Sequence, residues 1–487
     1  MSLKRTTAIN LGAVGSLHIF AKILNLITLT ILSRLLLPSD FGIVAIAGIM
    51  ITVVDQFKDF GISNAVINRH ENPEESLMTG FTIRLFIGSF FYVAIFFLAP
   101  VYGNFFNDQV IASVLRVSAI VLILENLRFT PDTKLRKELK FKTIVISNFF
   151  GYVSYSIVAI SLAYAGYSFW SIIYARLIQT LTSSIYFWFK SPWKFKLYFN
   201  KEIAKELYSY GKYIFITGFL ALGIDNMNNF VLGKIVGSTL LGYYVVAYSW
   251  ATFSSREMIQ IISKVLFPTF SSIKNDIPRI GNAYLKSLRY TSMISIPIAL
   301  GTLAIAPEFV NVILGEKWTP SILPLQILCI VGLLQSLNTT TSSLYYSLGK
   351  AKITTIMAGT QLLLMMLFVI PVAKIYGIIG VTVLYSLVII IMTPFNFVYI
   401  GKYLQLNQRK FAKILIIPAI SGIIMALFIF LIKDYLKSII LVLEYPLLNL
   451  ILLVLSGGVM YVLCLFILTK GSLKKEIMDI ALNMKHS

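Results

Sequence analysis

Cysteine is nearly missing. The 487 residues hold two, Cys329 and Cys464, both inside apolar runs, which excludes a disulfide framework. Histidine is scarce too: His18, His70 and His486 stand far apart, so the sequence shows no metal-binding cluster. Charge is thin, 13% of residues against about 25% in ordinary soluble domains. Acid is scarcer than base, 21 Asp and Glu against 42 Lys and Arg. Long polar stretches are also lacking. The longest loops, near 190–211 and 263–288, leave no room for a separate catalytic domain. No G-x-x-x-x-G-K-[ST], G-x-S-x-G or H-E-x-x-H pattern occurs, which argues against ATP hydrolysis, serine-hydrolase chemistry and zinc-protease chemistry. No loop offers paired carboxylates for glycosyl transfer, so a transporter without a cofactor is expected, not an enzyme.

Apolar surface is what the chain has in plenty. Hydrophobic residues make up 57%, more than a soluble core can hide, so the solvent is lipid. A crossing needs roughly 20 apolar residues. Fourteen stretches qualify: 13–37, 41–64, 79–100, 109–130, 143–165, 167–189, 212–236, 239–262, 289–313, 321–345, 353–374, 377–400, 413–433 and 447–469. The second carries Asp55, Lys58 and Asp59, and the tenth is polar through NTTTSS at 338–343. No small-residue cleavage site follows Lys4, Arg5 and the first apolar run, so that run is expected to stay as a span. The expected fold is an all-α polytopic membrane protein.

Basic residues set the orientation. With the N-terminus in the cytoplasm, 29 of the 42 Lys and Arg fall in cytoplasmic segments and 4 in outer loops, Lys317, Lys374, Lys433 and Lys437. Both termini are then cytoplasmic, in a multi-pass protein of the cytoplasmic membrane. The positive charge is spread over many short loops, which excludes a nucleic-acid patch.

The sequence echoes itself. SRLLLPSDFG at 33–42 lies over GKIVGSTLLG at 233–242, pairing Arg34 with Lys234 and Gly42 with Gly242. At a slightly larger offset, Leu115, Ile120, Lys140 and Lys142 meet Leu325, Ile330, Lys350 and Lys352. Ala99-Pro100 and Ala306-Pro307 end the corresponding third and ninth spans. Two parallel six-span repeats are expected, an N-lobe at 1–200 and a C-lobe at 201–412, then two extra spans at 413–469 and a cytoplasmic tail at 470–487. Parallel repeats about an axis along the membrane normal are a transporter plan with the substrate site between the halves.

Nine basic residues remain inside spans: Lys22, Arg34, Lys58, Arg84, Arg116, Arg128, Arg176, Lys234 and Arg256. Five acids accompany them: Asp55, Asp59, Glu125, Asp225 and Glu257. A charge at mid-bilayer costs about 2.5–3.5 kcal/mol on insertion scales, so these residues face protein or a watered cavity. Asp55, Lys58 and Asp59 share a helix face, and Glu125 lies three residues before Arg128. Salt bridging within the bundle, or snorkelling near span ends by Arg34, Arg84, Arg128 and Lys234, would account for part of the set. The excess of cations points to a multiply anionic ligand such as a diphosphate. Lys22, Lys58, Arg84, Arg116, Arg176 and Arg256 are the candidate lining of a central cavity. Arg34 and Lys234 are candidates for its outer mouth. Asp55, Asp59, Asp225 and Glu257 are candidate carriers of a coupling H⁺ or Na⁺. Pro297 and Pro394, well inside spans, suit static bends or hinges.

One stretch carries a family likeness. SRLLLPSDFGIVAIAGIMITVVDQFKDFGISNAVI at 33–67 combines an Arg, a P-x-D-F-G and a D-x-G at Asp59 and Gly61, and LFPTFSSIKND follows the eighth span at 266–276. Together they resemble polysaccharide exporters of the multidrug/oligosaccharidyl-lipid/polysaccharide (MOP) superfamily. The resemblance spans essentially the whole chain and its 6+6+2 plan. It implies a flippase for undecaprenyl-diphosphate-linked oligosaccharides feeding O-antigen, capsule, exopolysaccharide or teichuronic acid assembly, with glycosyltransferases and a polysaccharide polymerase as partners. It implies a cationic cavity for the sugar-diphosphate head, with the lipid tail left in the bilayer. Within the motif, Pro38 and Gly42 are expected to make a turn. A lipid II flippase shares the fourteen-span plan, but the N-terminal signature argues against it. A multidrug cation antiporter fits poorly with a cationic interior. A membrane glycan polymerase would need a large outer loop.

Overall fold

The computed structural model describes residues 3–191, 193, 196–253, 266, 270–273, 275–437 and 445–469, and every element among them is helical. The helices are α1 (Leu3–Leu35), α2 (Pro38–Asp59), α3 (Ile62–Asn68), α4 (Pro73–Phe105), α5 (Val110–Ser118), α6 (Ile120–Lys137), α7 (Phe141–Tyr164), α8 (Trp170–Lys190), α9 (Lys201–Ile235) and α10 (Gly237–Phe253). After them come α11 (Ile277–Phe309), α12 (Ile322–Ser347), α13 (Ala351–Tyr403), α14 (Gln408–Lys437) and α15 (Pro446–Leu468). Each of the fourteen expected spans lies mainly on helix over its described residues, with breaks at 60–61 and 119 and non-helical ends such as 36–37 and 167–169. Among the described residues, ten helical stretches are long and apolar enough to cross a membrane. One of the ten, α13, covers two expected spans: Gly377 (φ +57°) breaks it between 353–374 and 377–400. Large apolar side chains are exposed on these helices, Phe90, Phe97 and Leu431 among them, as lipid-facing surfaces require.

Contacts group the chain into two compact units, Met1–Val245 with Met366–Ile378, and Val246–Met365 with Ile379–Ser487. In the first unit α9 packs on α2 and α3. In the second unit, α14 and α15 pack against α11. Tyr461 donates to the Met293 carbonyl at 2.9 Å, and Met425, Ile429 and Leu453 share a core with Ala304. The polar run of the tenth span faces protein: the Thr341 and Tyr284 hydroxyls bond at 2.7 Å, and Thr340 meets Thr291 at 3.2 Å.

In the first unit, α2 begins with Pro38 in its first turn, where a missing N–H costs nothing. The Asp40 carboxylate accepts the Leu37 N–H at 2.7 Å, capping the helix. Its other oxygen accepts the Ser168 hydroxyl at 2.5 Å, tying α2 to the α7–α8 turn. Gly42 makes no turn: it lies inside α2, where its bare Cα lets the Ser238 backbone approach. Reciprocally, Gly242 in α10 admits the backbone of Pro38. Residues 38 and 42 thus meet 238 and 242 with roles exchanged, the signature of a local two-fold between the two copies of the sequence echo.

Span two breaks at Phe60 (φ 42°) and Gly61 (φ +74°), both left-handed. The Phe60 ring stacks on Tyr208 and Phe215 of α9, with centroids 4.9 and 4.5 Å away. Gly61 and Gly211 let the two backbones touch there. Gly61→Ala should therefore destabilise the protein by about 1–2 kcal/mol from the left-handed backbone alone, with the overlap against Gly211 adding to it. The apparent melting temperature in detergent checks this; an unchanged value would refute the contact.

Candidate functional site

A cavity of about 470 Å³ lies within the first unit, walled by α1, α2, α5, α6, α7 and α8. From α2 come Val44, Gly48, Ile51, Thr52 and Asp55, spaced so that one helix face supplies them all. Glu125 enters from α6, Tyr152 and Tyr155 from α7, and Arg176 and Gln179 from α8. Arg176 is the one cation among the lining residues, and its guanidinium donates to the Gln179 amide oxygen at 3.0 Å.

Behind the two carboxylates sits Lys58, fully buried. Its ammonium is 2.6 Å from Asp55 and 3.0 Å from Glu125, and 3.4 Å from the Leu122 carbonyl. Gly88 of α4 leaves room for the lysine stem; a Cβ there would stand 3.2 Å from Lys58 Cδ. One turn further along, Arg84 of α4 pairs with Asp59 and donates to Ser63 Oγ at 3.2 Å, with Phe129 under its guanidinium at 4.7 Å. Asp55 and Glu125 also line a second cavity of about 280 Å³, together with Asp59, Arg84, Arg128, Asp132 and Arg136. Arg136 pairs with Asp132 at 3.0 Å. The Asp55–Lys58–Glu125 cluster is thus the partition between two polar spaces.

Charge in this column is matched. Lys58, Arg84, Arg128 and Arg136 stand among Asp55, Asp59, Glu125 and Asp132, and Arg176 adds a fifth cation on the side of the larger cavity. Lys58 and Arg84 are held by carboxylates, so in this conformation their charge is spent inside the wall. Lys58, fully buried between two carboxylates, cannot meet a ligand without breaking an ion pair.

The remaining candidates lie elsewhere. Arg116 closes α5 and donates to the Phe96 carbonyl at 3.0 Å, its guanidinium over the Phe96 ring, so it ties α5 to α4. Lys234 donates to the Phe105 carbonyl and sits 4.7 Å from that ring's centroid. Arg34 is exposed in the last turn of α1, Lys22 is half-buried on α1, and Asp225 is exposed on α9. Arg256 and Glu257 lie outside the described residues. Tyr152, Tyr155 and Gln179 escaped the sequence reading, because an aromatic or amide inside an apolar run reads as core.

A cavity with charged and polar lining, walled in large part by helices long and apolar enough to cross a membrane, fits a multi-pass membrane protein built like a transporter. The chain belongs to the polysaccharide biosynthesis protein family, whose model matches residues 31–323. It is 26% identical over 411 residues to the lipopolysaccharide biosynthesis protein WzxC of Escherichia coli (strain K12), covering 81% of each chain. It is 23% identical over 303 residues to the teichuronic acid biosynthesis protein TuaB of Bacillus subtilis (strain 168), covering 60% of this chain and 61% of that one. In fold it resembles the lipid II flippase MurJ in an inward closed conformation, with a TM-score of 0.76 at 15% identity over 94% of this chain and 99% of that one. An inward-facing multidrug resistance MATE family transporter of the MOP superfamily aligns with a TM-score of 0.58 at 16% identity, over 80% and 94% of the two chains. At these identities the structural likeness is one of fold.

Proposed function

We propose that the protein flips undecaprenyl-diphosphate-linked oligosaccharide across the cytoplasmic membrane, with both its termini in the cytoplasm, for assembly of a surface polysaccharide. The observation that carries this is the polar cavity inside the helical wall of a polysaccharide-biosynthesis family member. A charged headgroup crosses a bilayer only where polar protein groups take the place of its hydration water, and a cavity with charged and polar lining among long apolar helices supports that reading. Arg176, exposed and lining the cavity, is the proposed diphosphate contact, with Lys22 and Arg256 as further cationic contacts for the anion and Arg34 and Lys234 at the proposed outer mouth. Lys58 and Arg84 act as positioning residues that hold the carboxylates of α2 and α6. The two sequence repeats, 1–200 and 201–412, are the proposed moving halves of an alternating-access cycle.

Coupling to H⁺ or Na⁺ is proposed at Asp55 and Asp59, with Asp225 and Glu257 as further carriers. One buried ammonium serves both Asp55 and Glu125, so a cation gained by either carboxylate loosens the bridge from α2 to α6. In proteoliposomes, a pH or Na⁺ gradient should speed headgroup transfer by the wild type and not by Asp55→Asn; equal stimulation of both would refute this assignment.

Arg176→Ala should lower surface polysaccharide about tenfold or more, the loss expected for a charge-assisted contact, while the protein stays in the membrane. Quantifying polysaccharide against membrane-fraction protein checks it. Undiminished polysaccharide would remove Arg176 from the site.

A further inference from the structure

We infer that the 470 Å³ cavity of the first unit is a subsite for the sugar ring itself, reading a polyhydroxylated saccharide next to the diphosphate. This rests on the flippase reading and names which part of the headgroup this wall meets. A diphosphate alone would call for a lining rich in cations, and the lining has one, Arg176, beside the carboxylates of Asp55 and Glu125. With Lys58 behind them the wall is balanced.

A sugar ring asks for something else. Its hydroxyls both donate and accept, and its C–H face is apolar. Ionised carboxylates only accept, a guanidinium only donates, and a side-chain amide does both. The cavity combines all three kinds, with Asp55 and Glu125, Arg176, and Asn25 and Gln179. Tyr152 and Tyr155 come from adjacent positions of one α7 face and add two aromatic rings against which a C–H face can lie. Geometry supports the same reading. The Gln179 amide oxygen accepts from Arg176, which leaves the amide –NH₂ as a donor of fixed direction. Lys58 fixes Asp55 and Glu125 from behind, so their cavity-side lone pairs are pre-positioned before any ligand arrives. The volume of about 470 Å³ is at the small end of ligand pockets, so it selects among sugars and does not enclose a whole repeat unit.

The test compares two probes on the purified full-length protein in nanodiscs by native mass spectrometry. One is bare undecaprenyl diphosphate. The other is undecaprenyl diphosphate bearing the first sugars of the strain's own repeat unit. The wild type should prefer the glycosylated lipid by about tenfold or more, the effect of a few charge-assisted hydrogen bonds. Tyr155→Ala and Gln179→Ala should each cut that preference about tenfold, chiefly through weaker binding of the glycosylated lipid. Tyr155→Phe, which keeps the ring, should retain most of the preference and so separates ring stacking from misfolding. Binding of the bare lipid with no preference for the sugar would overturn this inference and leave the flippase reading standing. Loss of both lipids in equal measure in Tyr155→Ala and Gln179→Ala would also overturn it. Binding of neither lipid by the wild type would overturn the flippase reading and this subsite with it.

Discussion

Lys58→Ala should abolish export and destabilise the protein by about 3–5 kcal/mol, the cost of removing one partner from a buried ion pair. The ammonium is fully buried, and it bridges Asp55 on its own helix to Glu125 on α6. Without it two carboxylates face each other at a partition between two cavities. A compensating triple variant separates stability from function. Lys58→Met with Asp55→Asn and Glu125→Gln removes all three charges, and replacing a complete buried set is close to neutral in many proteins. The melting temperature should recover most of the loss, whereas export should not, because the cavity loses the carboxylates that we assign to substrate and coupling ion. Recovery of both would reduce the cluster to scaffolding.

Gly42→Ala should be the most damaging of the small substitutions. A Cβ at Gly42 would overlap the Ser238 carbonyl, and one at Gly242 would overlap that of Pro38. Neither obstacle is a side chain that can swing away. Overpacking ordinarily costs about 1–3 kcal/mol, and a backbone obstacle belongs at or above the top of that range. The reciprocal geometry adds a sharper expectation. Once one methyl has spread α2 from α10, the second finds room, so Gly42→Ala with Gly242→Ala should cost clearly less than the sum of the two. Gly359→Ala, where a Cβ meets nothing within 4 Å, is the control and should be neutral or slightly stabilising. Melting curves of the four variants decide it; strict additivity would mean that the two glycines are not in one contact.

Much of the fold could be read from residue order because lipid imposes simple rules. Length and hydropathy placed the helices, and the polar second and tenth spans stay helical because their polar residues face a cavity or other helices. What stayed hidden was whatever depends on which helix neighbours which. The spacing of Asp55, Lys58 and Asp59 announces a shared face, but nothing in it announces Glu125 from α6 or Arg84 from α4 as the partners. A count of charges over all spans gave an excess of cations, whereas four carboxylates, two of them reached from another helix, stand among the cations of the first unit's column and leave only Arg176 in excess there. Arg116 and Lys234 find backbone carbonyls and aromatic rings of α4, a use that composition does not distinguish from ligand binding. Gly42 in P-S-D-F-G reads locally as a turn. Its helical, close-packed role appears only when the second copy of the motif is set against the first. Asp40, conspicuous within that motif, turns out to cap α2 and hold Ser168.

The most direct test is made in proteoliposomes holding the purified protein and an undecaprenyl-diphosphate-linked oligosaccharide of the host's own repeat unit. A membrane-impermeant reagent reads the sugar exposed on the outer leaflet over time. Initially inward-facing headgroups should become accessible at a rate that scales with the amount of wild-type protein and falls about tenfold or more with Arg176→Ala. Accessibility no faster than in protein-free vesicles, or equal rates for wild type and variant, would contradict the proposed function or its site respectively.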